Sequence, residues 1–174
     1  MIIGFAGRAG AGKSTAAEYL TTWYSFTRDA YAATLKQAAS IIFGVPVETF
    51  LGDLAVKSQI DPYWDMTYRR MLQLLGTEAC RETFGDDIWE LVLWRRHDGT
   101  TYDLVIDDVR FPNEAEAILK RGGRVIEIVR AGSVDDAHRS EVRLPGRLVS
   151  AEIENNRTVE ELHEWIDRAL DLWW

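Results

Sequence analysis

The sequence predicts an α/β fold built on a parallel sheet, and three observations carry that prediction. Short apolar runs alternate with stretches of helical periodicity along the whole chain. The first apolar run leads directly into a glycine-rich turn that opens a helix. Most helical stretches are bounded by capping residues or by Gly and Pro. Strands separated by helices pair in parallel, because parallel neighbours need long crossover connections.

Each element follows from its local pattern. Met1 to Ala6 is a short apolar strand, and Lys13 to Trp23 is helical. Tyr24 to Ala32 reads as a second strand, weakened by Arg28 and Asp29. Ala33 to Phe43 is a helix with Leu35, Ala38, Ala39 and Ile42 on one face, stopped by Gly44 and Pro46. Val45 to Met66 is irregular. Thr67 to Leu75 and Glu78 to Phe84 read as helical segments broken at Gly76-Thr77, and a further helix covers Asp86 to Arg96.

The second half repeats the alternation more cleanly. Leu104-Val105-Ile106 is a buried strand leading into Asp107-Asp108-Val109-Arg110. Asn113 with Glu116 signals the start of a helix that runs to Arg121 and closes at Gly122-Gly123. Arg124 to Val129 is the next strand. Residues 131–147 are polar and punctuated by Gly and Pro, the composition of a loop or short lid. Val149 to Ile153 is a last strand, and Thr158-Val159-Glu160-Glu161 is a capping box for the final helix.

With 174 residues the chain has the size of one domain, residues 1–174, long enough for a three-layer core. A hydrophobic content of 47% with 28% charged residues is ordinary for a globular protein. Twenty basic against 28 acidic residues leave a net charge of −8, which disfavours a nucleic-acid polymer as partner. A small phosphorylated ligand needs only a few local cations, so it is compatible with this field. Cys80 stands alone, excluding an intrachain disulfide and a cysteine-rich metal site; it reads as a packing residue. The first strand begins within two residues of Met1, and no apolar stretch approaches membrane-spanning length. The expected setting is therefore cytoplasmic, with no membrane partner. The seven tryptophans fit either a core or a dimer contact, so monomer and homodimer both stay open.

The most specific motif is Gly7-Arg8-Ala9-Gly10-Ala11-Gly12-Lys13-Ser14, a P-loop placed between a strand and a helix. A triphosphate must be desolvated on binding. Inward-pointing backbone N–H groups and a helix N-terminus supply the compensating positive field. Small Ala9, Gly10 and Ala11 permit close backbone approach, Lys13 is placed to reach the β- and γ-phosphates, and Ser14 offers its hydroxyl to Mg²⁺. A mere glycine-rich turn would not require every fixed position of the pattern to be filled.

Three further clusters decide what is done with the nucleotide. Asp107, Asp108 and Arg110 follow a buried strand at the sheet edge where open parallel sheets bind ligands. One carboxylate there can serve Mg²⁺ or its waters and Arg110 a phosphate, although a structural ion pair would look the same. Arg69, Gln73 and Thr77 recur at i, i+4 spacing, so a continuous α-helix would align them, with Arg70, Gly76 and Arg81 close by. Cation, amide and hydroxyl suit a phosphate and a base; they also suit a solvated helix face. Arg130 follows a strand and can neutralise charge in transfer. Asp136, His138, Arg139, Ser140 and Glu141 lie in the lid-like segment, where the single histidine does not make a metal site.

At this level of detail the chain resembles the bacteriophage-type deoxynucleoside monophosphate kinases. The stretches that carry the resemblance run in family order over nearly the whole chain. They are Gly7–Thr15, Thr34-Leu35-Lys36, Thr67-Tyr68-Arg69, Leu72-Gln73-Leu74-Leu75-Gly76-Thr77 and Phe84-Gly85-Asp86-Asp87-Ile88-Trp89, followed by Asp108–Glu116 and His138-Arg139-Ser140-Glu141. The resemblance implies the nucleoside-monophosphate-kinase variant of the P-loop fold: three layers, with a five-stranded parallel sheet flanked by helices and a short lid. It implies ATP-dependent phosphorylation of a dNMP with Mg²⁺.

Carried onto this sequence, the ATP phosphates fall to Gly7, Ala9, Gly10, Ala11, Gly12, Lys13, Ser14 and Thr15. The dNMP falls to Lys36, Arg69, Gln73, Gly76, Thr77, Asp108 and Arg110. Lys13, Arg130 and Asp108 would serve transfer, and Asp136, His138 and Glu141 the lid. Two rivals remain open at this stage: another small-molecule P-loop kinase of dephospho-coenzyme A or phosphomevalonate type, and a regulatory module that hydrolyses ATP slowly.

Overall fold

The structure, a computed structural model of the chain, describes residues 1–132 and 143–173. Among these, the strands in chain order are β1 (Ile2–Ala6), β2 (Thr27–Asp29), β3 (Ile60–Asp61), β4 (Met66–Thr67), β5 (Leu104–Val109), β6 (Arg124–Val129) and β7 (Ala151–Glu154). The helices are α1 (Lys13–Tyr24), α2 (Ala33–Phe43), α3 (Val47–Leu51), α4 (Leu54–Lys57), α5 (Tyr68–Gln73), α6 (Glu82–Phe84), α7 (Ile88–His97), α8 (Pro112–Lys120) and α9 (Val159–Asp171). The chain divides into two compact units: Met1–Ala30 with Gly99–Trp174, and Tyr31–Asp98.

The first unit holds a five-stranded sheet in the order β2-β5-β1-β6-β7, every pair parallel. Ile3 and Phe5 of β1, Val105 of β5, and Ile126 and Ile128 of β6 turn one face of the sheet toward α1 and α9. Ala16, Ala17 and Leu20 from α1 meet Leu162, Ile166 and Leu170 from α9 in that core, all essentially inaccessible. Small residues on α1 let helix and sheet approach closely. On the other side, α8 lies against β1 and β6 and buries Ala115 and Ile118 completely. Three layers result, as expected.

Beyond β1 the chain visits β2 and β5 on one side of that strand, then β6 and β7 on the other. The turn after β1 therefore sits where strand order reverses, the crevice in which open parallel sheets take ligands.

The second unit has its own small core of Ala39, Val45, Phe50 and Met71, ringed by Phe43, Trp64, Met66, Tyr68, Leu72 and Leu75. The stretch expected to be irregular is α3, α4 and the antiparallel β3–β4 pair. Asp61 closes that hairpin by accepting the backbone N–H groups of Tyr63 and Trp64, at 2.9 and 3.1 Å. The Trp64 indole then donates to the Phe43 carbonyl at 2.9 Å, fastening the hairpin to the end of α2.

Several local expectations need correction. The second strand is only Thr27–Asp29, because Ser25 leaves α1 in a left-handed conformation at φ 59°. On α2, Leu35 and Ala39 are buried as expected, but Ile42 is 56% exposed. Asn113 is not the cap of α8. Phe111 holds that position, Pro112 opens the helix, and the buried Glu114 carboxylate accepts the N–H groups of Arg110 and Phe111 at 2.8 and 3.1 Å. Finally, the helix does not break at Gly76-Thr77. It runs on from α5 through a π-helical stretch, Leu74–Arg81, into α6.

Candidate functional site

The turn after β1 is shaped by positions where a side chain is impossible. Gly7 has φ +130°, and a Cβ there would come within 2.2 Å of the Ile128 carbonyl oxygen on β6. Gly12 has φ +110°, and its Cβ would meet the Asn155 amide nitrogen at 2.4 Å. Both are conformations that L side chains adopt only under strain. The Ala11 N–H bonds the Arg8 carbonyl at 3.2 Å, tightening the loop, and Gly12 caps α1. α1 has no acidic residue in its first turn, so the positive end of its dipole is not offset by a local carboxylate.

Lys13 is tied across this loop. Its ammonium donates to the Gly7 and Arg8 carbonyls at 2.6 and 2.8 Å, which fixes the cation over the turn. Ser14 is exposed and Thr15 half-buried in the same first helical turn. The expected phosphate loop, Gly7 to Thr15, is thus one continuous piece of structure.

The carboxyl end of β5 is less simple than strand alternation suggests. Gly4 pairs with Ile106 and Ala6 with Val109, so β5 carries one extra residue across Asp107-Asp108. A bulge at the rim of a sheet re-aims side chains, and here it decouples the two aspartates from the strand's in–out period. Asp107 is engaged by Arg28 of β2, whose Nε donates at 2.9 Å and whose Nη2 makes a second, shorter contact. Asp107 thus carries a structural ion pair with Arg28, and Asp108 follows at the bulge. Arg110 is half-buried immediately beyond, its backbone held by Glu114. Arg130 is exposed at the end of β6. Asp136, His138 and Glu141, with most of the expected lid, lie outside the described residues.

The other expected cluster belongs to the second unit. Arg69 and Gln73 share a face of α5 and are half-buried, and Lys36 is half-buried in the first turns of α2. Gly76 and Thr77 lie in the π-helical stretch, where bonding shifts to i→i+5 and four residues no longer complete a turn. Thr77 is therefore rotated short of the line through Arg69 and Gln73, and it is 9% exposed. The carbonyl of Gly76 is met by the Trp89 indole N–H at 2.9 Å. Arg70 forks onto Glu78 at 2.5 and 3.2 Å. Arg81 is 4% exposed and donates to the Asp86 carbonyl.

Sequence reasoning missed four residues: Asn155, Glu114, Arg28 and Trp89. A signal existed for the first. Asn155-Asn156 are polar residues at the carboxyl end of a strand, where parallel sheets place their sites. Pairing of Arg28 with Asp107 depends on β2 and β5 being neighbours, and no local pattern reveals that.

A family model described as deoxynucleotide monophosphate kinase matches residues 48–166. The chain belongs to the deoxynucleotide monophosphate kinase family. The family-model match starts well after Ser14, whereas the relatives align over nearly the whole chain, phosphate loop included. A protein of Acanthamoeba polyphaga mimivirus named for this family is 35% identical, over 98% of this chain and 96% of its own. The deoxynucleoside-5'-monophosphate kinase of Escherichia phage T5 is 26% identical over 98% of both chains.

Among solved structures, shikimate kinase from Aquifex aeolicus superposes with a TM-score of 0.55 over 98% of this chain and 96% of that one, at 12% identity. Shikimate kinase from Acinetobacter baumannii gives 0.51 over 97% and 92%, also at 12% identity. At that identity they establish the P-loop kinase fold and nothing about substrate. Membership in the deoxynucleotide monophosphate kinase family accounts for the middle stretches, from Thr67 to Trp89, that the phosphate loop alone leaves unexplained.

Proposed function

We propose that this chain transfers the γ-phosphoryl group of ATP to a deoxynucleoside 5'-monophosphate, releasing ADP and a deoxynucleoside diphosphate. The observation that carries the reading is the strand–loop–helix cradle of Gly7 to Ser14 in a chain of this family. The cradle supports the donor half; family membership supports the acceptor.

In this reading the loop amides and Lys13 hold the β- and γ-phosphates. Lys36, Arg69, Gln73, Gly76, Thr77 and Arg110 hold the monophosphate. Asp108 stands by the metal or the acceptor, and Arg130 neutralises charge on the transferring group. Catalysis is then positioning plus charge neutralisation, since the acceptor phosphate oxygen is already anionic near neutral pH. No general base is required.

The residues present fit Mg²⁺ carried in with the nucleotide. Among the described residues no three carboxylates, histidines or cysteines gather as an all-protein metal cage. A single hydroxyl from Ser14, with Asp108 serving either the ion or the acceptor, would suit an ion that keeps its waters and takes phosphate oxygens. When bound it would screen the phosphate charge during transfer.

The deciding experiment is a coupled ADP-release assay over four dNMPs, their ribonucleotide counterparts and a no-acceptor control. Release that depends on a dNMP supports the proposal. Release at the same rate without acceptor would mark a slow ATPase instead, and transfer confined to some other acceptor would mark a different small-molecule kinase. No helix among the described residues is long and apolar enough to cross a membrane.

A further inference from the structure

Two consecutive asparagines after β7 each hold a piece of backbone on the donor side. The Asn155 N–H extends the β6–β7 ladder by donating to the Val129 carbonyl at 2.8 Å. Its side chain is buried and donates from Nδ2 to the Ala11 carbonyl at 2.8 Å. Only the amide NH₂ can face a carbonyl, so the partner fixes which way this side chain is turned. Asn156 has the opposite chemistry: its Oδ1 accepts the Ala131 N–H at 2.7 Å, on the residue that directly follows Arg130.

The first contact has a consequence for the phosphate loop. A trans peptide is planar, with C=O and N–H pointing in opposite directions. Holding the Ala11 carbonyl therefore fixes the direction of the Gly12 N–H, on the far side of the same peptide. Without such a hold this peptide would be soft, because Gly12 has no side chain to resist rotation. Gly12 also owes its identity to this contact, since a Cβ would displace the Asn155 amide.

We propose that Asn155 and Asn156 are a positioning pair for the donor site. Asn155 aims the Gly12 N–H at the donor phosphates, and Asn156 sets the backbone that carries Arg130. The inference rests on reading Gly7–Thr15 as the phosphate cradle.

The two roles have opposite signatures toward aspartate, which keeps the acceptor oxygens and loses the donor. In steady-state assays with ATP and dNMP varied separately, Asn155→Asp and Asn155→Ala should each raise the ATP KM about tenfold or more, the worth of one buried hydrogen bond. The dNMP KM should stay within about twofold, since the defect is confined to one substrate. Asn156→Asp should behave as the parent, whereas Asn156→Ala should lower kcat several-fold.

Equilibrium binding of ADP gives the Asn155 effect without turnover. If Asn155→Asp fails to fold, Asn155→Ala carries the same reading. A lowered melting temperature with an unchanged ATP KM would make Asn155 purely structural and overturn its role. Equal behaviour of the Asp and Ala variants at 156 would overturn the other. Lys13→Ala separates the two levels: full turnover there defeats the cradle itself. A dead Lys13→Ala beside parent-like asparagine variants defeats only the positioning pair.

Discussion

The phosphate loop and the helix from Tyr68 to Phe84 were both read from residue spacing, yet spacing was a good guide to only one of them. In the loop most constraints are local: a tight turn, three glycines in positive φ, a helix N-terminus and a lysine bonded back onto the turn, with Ile128 and Asn155 as the distant contacts. Spacing in sequence is then spacing in space. Along the helix, the i, i+4 series of Arg69, Gln73 and Thr77 presumes α-helical geometry throughout. The π-helical stretch from Leu74 to Arg81 breaks that presumption and turns Thr77 off the shared face. Motifs whose geometry is set by adjacent residues survive the step from sequence to structure. Periodicities are only as good as the helix type they assume.

The largest expected effect tests the first half of this comparison. Lys13→Ala should cut dNMP-dependent ADP release by about a hundredfold or more, as loss of a charge-stabilising donor does. Its melting temperature should move far less than turnover, since Lys13 is only half-buried and its bonds to the Gly7 and Arg8 carbonyls stay within the loop. Substantial turnover in this variant would mean that the loop geometry is present without the function its spacing announces.

A second pair of variants compares positions inside the loop. Gly7→Ala must force a Cβ against the Ile128 carbonyl at 2.2 Å, in a conformation already costly for alanine. A loss of about 3 kcal/mol in urea unfolding is expected, at the upper end for backbone strain. Gly10→Ala has φ +80° and its Cβ meets nothing within 4 Å. Only the left-handed penalty of about 1–2 kcal/mol applies there. Equal losses at both positions would show that the contact with β6 does not shape the turn.

The third prediction concerns the helix. Trp89→Phe removes the indole N–H from the buried Gly76 carbonyl and keeps most of the ring packing. Leaving that acceptor unsatisfied costs about 1–3 kcal/mol. If the π-helical stretch positions the acceptor-binding residues, the dNMP KM should rise while the ATP KM holds. A parallel rise in both would mean that the helix is read wrongly again, this time as a one-substrate element.

How much was legible follows from the same distinction. The parallel α/β alternation could be read because apolar runs and capping residues report on local structure, and β6, α2 and α9 begin where the sequence puts them. The bulge at Asp107-Asp108 could not be, because it is defined by pairing with β1, a hundred residues away in sequence. Nor could the cap of α8: Asn113 has the better capping chemistry, but Pro112 starts the helix one residue earlier and leaves the capping work to Glu114. Asn155 went unnoticed for a related reason. Its partner is a backbone carbonyl 144 residues away, and a carbonyl carries no signature in sequence.

The smallest effect separates the two regions by pH. α1, which the phosphate loop opens, is pinned to α9 by Tyr19 and Tyr24. Both hydroxyls donate to the Asp167 carboxylate, at 2.7 to 2.9 Å. His163 stacks on Tyr19 at 3.9 Å between centroids. Burial first, and then the Asp167 charge and hydrogen bond, push the Tyr19 phenol above its ordinary value of 10.0; the Asp167 hydrogen bond leads for Tyr24, in the same direction. A phenol whose pKa is raised by folding stabilises the fold fully below pH 10, and that contribution fades as pH climbs through the raised value. Unfolding free energy should therefore decline above pH 10, and less steeply in the Tyr19→Phe, Tyr24→Phe double variant. The helix α5 packs instead through the apolar cluster around Met71. Alkaline hydrogen exchange, corrected for its intrinsic rate, should rise in α1 before it rises in α5. Simultaneous loosening would show that the donor helix owes its placement to the apolar core, with the tyrosine pair adding little.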